Sequence, residues 1–323
     1  MPRAKAGVAG IHLAACSGAR GWLDPGHKAR DDSVDQLLQH GLNAIILGGT
    51  YALLGIGLTL IFGIMRVVNF THGELYSFGA YMMFMWVMSV GVNFFVALPL
   101  AVALGIALGA AIELTLLRRL RGADIDTTML VMIGAWIAMQ NVEQLTWSGV
   151  AKSINTPFPS DPLVLGPVSV SWNRLFVFAV AIVLIVGAYG LINRTKLGKA
   201  MRATFQDRET AALMGVEINT IYTATFALGS GLAAAAGALL GPVFVVYPTM
   251  GDLASLKAFA IVILGGLGSI PGATIGGFIL ALMEELGAGY VSSGFRDGMG
   301  FLLIILILIV KPTGLFAQKE RIG

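Results

Sequence analysis

Gly63–Ala80, GIMRVVNFTHGELYSFGA, and Gly241–Ala258, GPVFVVYPTMGDLASLKA, overlie one another without a gap when the chain is shifted by 178 residues. Eight of the eighteen pairs are identical: Gly63/Gly241, Val67/Val245, Val68/Val246, Thr71/Thr249, Gly73/Gly251, Leu75/Leu253, Ser77/Ser255 and Ala80/Ala258. Glu74/Asp252 is a conservative ninth, and Asn43 and Asn219 match at the heads of the preceding helices if one residue is gapped. Each copy interrupts an apolar stretch, Asn69–Glu74 in the first and Tyr247–Asp252 in the second. Five helices separate the copies, an odd number, so the two point in opposite directions across a bilayer. That is an inverted repeat, four helices, a linker helix and four more, an arrangement typical of transporters.

The surroundings demand a membrane. The chain has 323 residues, 56% hydrophobic and only 12% charged, with a mean hydropathy of +0.81. Apolar runs occur at about 37–63, 75–91, 93–117, 127–147, 173–192, 219–241, 253–267, 271–288 and 297–311. A full crossing needs about 20 residues, so the seventh and ninth read as half-helices or tilted ones. The expectation is an all-α polytopic membrane protein with eight or nine spanning or half-spanning helices. Its parts are repeat one at 37–147, a linker helix at 173–192 and repeat two at 219–312. Gly at 42 residues fits close helix approach. The net charge of +3 lies in loops and calls for no nucleic-acid partner.

Basic residues orient the chain. Leu117–Gly122 (LRRLRG), Arg194–Glu217 and the tail with Lys319 and Arg321 fall inside; 148–172 falls outside, and so does the N-terminus. Residues 1–36 form a polar extension, expected to be disordered. Leu13–Cys16 looks like a lipoprotein cleavage box, but the apolar run before it is too weak for a signal core. Cys16 is the only cysteine, so no internal disulfide is possible.

Broken helices mark substrate routes, because freed backbone is tolerated only against protein or a watery cavity. The candidate route residues are Asn69, Thr71, His72, Gly73, Glu74, Thr249, Gly251 and Asp252. Glu74 and Asp252 also fit a plainer role as helix-start caps favoured by the dipole, and His72 fits a structural hydrogen bond. Gly265–Gly272 (GGLGSIPG) is a tight reversal; no GxxxxGK[ST] occurs, so the chain holds no nucleotide by itself. Glu113, Glu143, Lys257, Glu284 and Glu285 fall mostly near expected helix ends, where snorkelling suffices. No buried relay can be assembled from them, which argues against ion coupling. No catalytic cluster, metal site or cofactor site is expected.

Arg194–Glu217, RTKLGKAMRATFQDRETAALMGVE, reads as a cytoplasmic amphipathic helix with a stripe of Leu197, Met201, Phe205, Ala212 and Val216. Such a helix suits a groove on a soluble partner.

Several stretches together resemble branched-chain amino acid ABC transporter permeases of the LivH type. These are VNFTHGELYSFGAYM (68–82), RATFQDRETAALMGVEI (202–218), LLGPVFVVYPTMG (239–251), KAFAIVILGGLGSIPGATIGG (257–277), YVSSGFRDG (290–298) and KPTGLF (311–316). The resemblance covers about 37–318, a single permease domain. It implies the type II ABC importer architecture, like the vitamin B12 permease, in a bacterial inner membrane. It implies as partners a second, related permease subunit (LivM-like), two cytoplasmic ABC ATPases that carry the ATP, and a periplasmic amino-acid-binding protein. The family's E-A-A-x-x-x-G coupling pattern is matched by Glu209, Ala211, Ala212 and Gly215, with Thr210 in its middle. Arg202 and Asp207 belong to the same ATPase-coupling segment. Related permeases carry urea and short amides, and an ion-coupled carrier is the alternative of another class.

Overall fold

The computed structural model describes residues 25–311 and 314–316; the Leu13–Cys16 stretch and the basic tail residues Lys319 and Arg321 lie outside them. The order is α1 (Pro25–Met65), α2 (His72–Phe84) continued by a π-helical turn (Met85–Val90), α3 (Phe94–Thr115) and α4 (Ile125–Trp147). A small antiparallel hairpin, β1 (Leu163–Leu165) and β2 (Val168–Val170), precedes α5 (Trp172–Arg194). Then come α6 (Lys196–Gln206), α7 (Arg208–Leu213), α8 (Ile218–Leu240), α9 (Met250–Gly265), α10 (Ile270–Tyr290) and α11 (Arg296–Val310). α1 starts at Pro25, inside the stretch expected to be an unstructured extension.

Seven of these helices are long and apolar enough to cross a membrane, α11 with the short turn before it. α9, at 16 residues, falls short of the length a crossing requires, and α2, at 13, approaches it only with the 6 residues of its π-helical turn. The chain therefore builds a polytopic helical membrane protein in which a helix starts anew, inside the bundle, after each break. α11 has 15 residues and reaches 18 only with the turn before it, so the seventh and ninth apolar runs are the short ones, as expected.

α1 and α8 form the centre, and α4, α5 and α11 lie at the periphery with most of their surface uncovered. The centre is held by small residues. A Cβ on Gly57 would fall 2.6 Å from the Gly229 carbonyl oxygen, and one on Gly229 would fall 2.7 Å from that of Gly57. Backbones this close exchange dispersion contacts that lipid tails cannot replace. Uncovered side chains on the peripheral helices, such as Ile137, Leu145, Val183 and Ile309, are apolar, as a lipid-facing surface requires.

The two ends of the bundle differ in charge. At one end the Gly63 and Gly268 backbones flank the Phe205 ring, Arg121 bonds Asn219, and Leu315 donates to the Leu264 carbonyl. Arg66, Arg118, Arg119, Arg121, Arg194, Lys196, Lys199, Arg202 and Arg208 gather here, so the positive-inside rule assigns this end to the cytoplasm. At the other end Lys152 bridges to Val246, Asn173 bonds Pro242, and Gln39 bonds Ser169.

Arg194–Glu217 is two helices, not the single one its spacing predicts. Asp207 adopts an extended conformation, and its carboxylate accepts from the Glu209 and Thr210 amides at 2.9 and 3.1 Å, so a new helix starts there. The apolar stripe also turns inward. Met201 is buried and Phe205 packs on Gly63 and Gly268, so the stripe seats α6 on its own bundle and leaves the opposite face for a partner.

Candidate site at the paired helix breaks

The first turns of α2 and α9 meet inside the bundle. The Gly73 amide donates to Ser255 Oγ at 2.9 Å, and a Cβ on Gly73 would land 1.9 Å from the Gly251 carbonyl oxygen. A Cβ on Gly251 would lie 2.8 Å from the Gly73 carbonyl oxygen and 2.5 Å from Glu74 Oε1. Positions related by the 178-residue shift thus touch each other, and only glycine fits at either. The loops that deliver them are tied down locally: Asn69 Oδ1 accepts from the Thr71 amide at 3.1 Å and the Thr71 hydroxyl at 2.6 Å. His72 is fully buried with Nε2 3.0 Å from the Leu54 carbonyl, which fits the tautomer protonated there and the structural role.

The two acids converge on one donor from α4. Trp136 Nε1 lies 3.1 Å from Glu74 Oε1 and 3.1 Å from Asp252 Oδ1, and Gln140 Nε2 donates to Asp252 Oδ1 at 2.9 Å. Glu74 is fully buried, and its second oxygen has no partner among the described residues. Neither Thr71 nor Thr249 gives its helix a side-chain cap. Both carboxylates do stand in first turns, where the dipole favours them, yet they also reach across to a third helix. One turn on, Ser77 Oγ donates to buried Glu143. Thr249 opens α9 at the same junction.

Sequence reading missed Trp136 and Gln140, and took Glu143 for a charge near a helix end. Their spacing of four and three puts them on one face of α4, a polar stripe in an apolar span, so a signal was available. Ser77 and Ser255 were in the repeat but not singled out.

The other intramembrane charges correct the expectation that they snorkel at helix ends. Glu113 is fully buried and pairs with Arg121 and Thr223. Lys257 Nζ lies 2.7 Å from Tyr51 Oη, 2.9 Å from Glu284 and 2.8 Å from Asp297, and Glu285 pairs with Arg296. Arg121 lies only eight residues beyond Glu113, but the partners of Lys257 and Glu285 come from other helices and so were invisible locally. Buried carboxylates therefore do exist within the spans, which removes the expected ground against ion coupling.

At the cytoplasmic end the coupling candidates separate by role. Arg202 bonds the Ile192 carbonyl and reaches Asn193, tying α6 to the end of α5. Asp207 caps α7, and the hydrogen bonds from Thr210 and Glu209 hold its carboxyl below the usual range. Ala211 is buried; Glu209, Ala212 and Gly215 are exposed, Gly215 in the left-handed region at φ +85°. Leu213 and Met214, missed earlier, are 88% and 81% exposed and form the apolar tip of the segment.

A polytopic helical bundle with two helix starts meeting inside it has the build of a membrane permease. The chain belongs to the family of permease components of branched-chain amino acid transport systems, whose model matches residues 41–310. It is 36% identical over 297 residues to the high-affinity branched-chain amino acid transport system permease protein BraD of Pseudomonas aeruginosa, covering 88% of this chain and 96% of BraD. It is 34% identical, with the same coverage, to the corresponding protein LivH of Escherichia coli K12. LivM of Salmonella typhimurium is 25% identical over 84% of this chain and 68% of its own length. No solved structure matches the chain.

Proposed function

We propose that this chain is a membrane-spanning permease subunit of an ATP-driven importer for branched-chain amino acids in a bacterial inner membrane. The observation that carries the reading is the 34–36% identity spanning 96% of relatives named as permease proteins of high-affinity branched-chain amino acid transport systems. The substrate route runs past Asn69, Thr71, His72, Gly73, Glu74, Thr249, Gly251 and Asp252, where two inverted halves meet. A second, LivM-like permease completes the route; the chain's own 25% identity to LivM fits a pair of related subunits. Two cytoplasmic ABC ATPases hydrolyse the ATP, and a periplasmic protein delivers the amino acid. The ATPases dock on α7, with Leu213 and Met214 as the apolar contact and Gly215 ending the helix beside them. Their closure pushes the segment, and the halves rock about the breaks.

The test is reconstitution. The chain, purified from its native membrane with whatever accompanies it, is placed in proteoliposomes with radiolabelled leucine, isoleucine or valine. Uptake that needs internal ATP and the binding protein supports the reading. Uptake driven by an ion gradient without ATP would sink it, and ATP-driven uptake of urea or a short amide in place of leucine would redirect it to those substrates.

A further inference from the structure

A cavity of about 620 Å³ opens at the arginine-rich end, between the end of α1, the 117–125 turn, α6–α7 and the start of α8. That is the size of a small-molecule site, typically about 300–1,000 Å³. Its lining is apolar along Val67, Val68 and Leu117, and includes Arg66, Asp207, Arg208 and Glu209. Arg121, also in the wall, is already neutralised by Glu113. Arg66 and Arg208 have no carboxylate within ion-pair distance among the described residues, and the Glu209 side chain likewise has no partner. Arg66 is held at φ +53°, a conformation non-glycine residues seldom take, where α1 stops and the chain turns back toward the break. The stretch that lines the cavity, Arg66–Val68, leads directly into Asn69–Glu74.

Two guanidiniums without an ion-pair partner among the described residues, the Glu209 carboxylate beside an Asp207 carboxylate already held by the Glu209 and Thr210 amides, and an aliphatic wall complement a zwitterion with an aliphatic side chain. We infer that this cavity is a cytoplasmic binding site for the transported amino acid, with Arg66 and Arg208 on its carboxylate and Glu209 on its ammonium. The inference rests on the reading of the chain as a branched-chain amino acid permease and adds a regulatory consequence. Arg66 belongs to α1, whereas Arg208 and Glu209 belong to the coupling segment. An amino acid bound between them joins the bundle to the part that must move, so accumulated product slows further import.

The complete importer is reconstituted in phosphatidylcholine liposomes containing ATP and increasing internal leucine, and uptake of external labelled leucine is followed. Internal leucine should slow uptake, and internal leucinol, which lacks the carboxylate, should need about tenfold more for the same effect, as expected for losing a charge-assisted hydrogen bond. Arg66→Asn keeps a residue at ease in the left-handed region and removes the charge. Measured against its own uninhibited rate, it should need about tenfold more internal leucine for half inhibition, and Arg66→Lys should recover most of the difference. Uptake indifferent to internal leucine, leucinol as potent as leucine, or an unshifted Arg66→Asn would each overturn the inference while leaving the importer reading intact. Phosphatidylglycerol binding that protects these arginines and that leucine does not displace would assign them to a lipid headgroup instead. A parent complex that imports no branched-chain amino acid would defeat the functional reading itself.

Discussion

Gly73→Ala places one methyl group where the two breaks touch. The new Cβ would sit 1.9 Å from the Gly251 carbonyl oxygen, 2.2 Å from Ser255 Oγ and 2.8 Å from the Ser255 amide nitrogen. Two of those atoms are backbone at the start of α9, so no side-chain rotation relieves the clash, and α2 and α9 must part by roughly 1 Å or more. Overpacking of this kind costs about 1–3 kcal/mol. The Gly73 amide then loses Ser255 Oγ as acceptor, worth about 1 kcal/mol in a buried site. The same displacement pulls Glu74 away from the indole it shares with Asp252. A total of about 2–4 kcal/mol corresponds to a fall in thermal midpoint on the order of 10 °C. Because the contact lies between elements that must rearrange, the cost also falls unevenly on the transport states, and a difference of about 1.4 kcal/mol shifts their ratio tenfold. The assay pairs thermal unfolding of the purified complex with ATP-driven leucine uptake. Gly134→Ala on α4, whose Cβ would meet nothing within 4 Å, is the control and should change neither. If Gly73→Ala matches the control in both measurements, the meeting of the breaks is not a working part of the molecule.

Trp136→Phe removes the N–H between Glu74 and Asp252 at nearly constant volume; it should cost about 1–3 kcal/mol of stability and lower uptake more than Glu74→Gln does, and the reverse order would restore Glu74 to a mere cap. Lys257→Met strands Glu284, which is 1% exposed, and should cost about 3–5 kcal/mol, most of it recovered in the Lys257→Met/Glu284→Gln double variant by the same thermal assay. Leu213→Asp with Met214→Asp should abolish co-purification of the ATPases while the chain inserts and unfolds normally; retained ATPases would move the docking surface elsewhere. With Cys16 replaced, Ser160→Cys should react with an impermeant thiol reagent outside intact cells and Gln206→Cys should not; the opposite labelling would invert the bundle.

The membrane class, the order of the apolar helices and the location of both breaks are legible in the sequence. They depend on local quantities: run length against bilayer thickness, the placement of arginine, and a glycine followed by an acid at matching points of a repeat. The convergence of Glu74 and Asp252 on Trp136 is not legible, because the indole comes from a helix 62 residues beyond one acid and 116 before the other. Its polar stripe with Gln140 and Glu143 signals a buried partner without naming it. The direction of the α6 stripe escapes for the same reason: periodicity shows that Met201 and Phe205 share a face, but only packing shows that Gly63 and Gly268 occupy it. Likewise, Glu113, Lys257 and Glu284 look like end-of-helix charges until Arg121, Asp297 and Tyr51 arrive from other segments to neutralise or bond them. A bilayer dictates which segments are helical and where they stop. Which side chains meet between those helices is fixed by close backbone approach at small residues, a property of pairs that no single stretch contains.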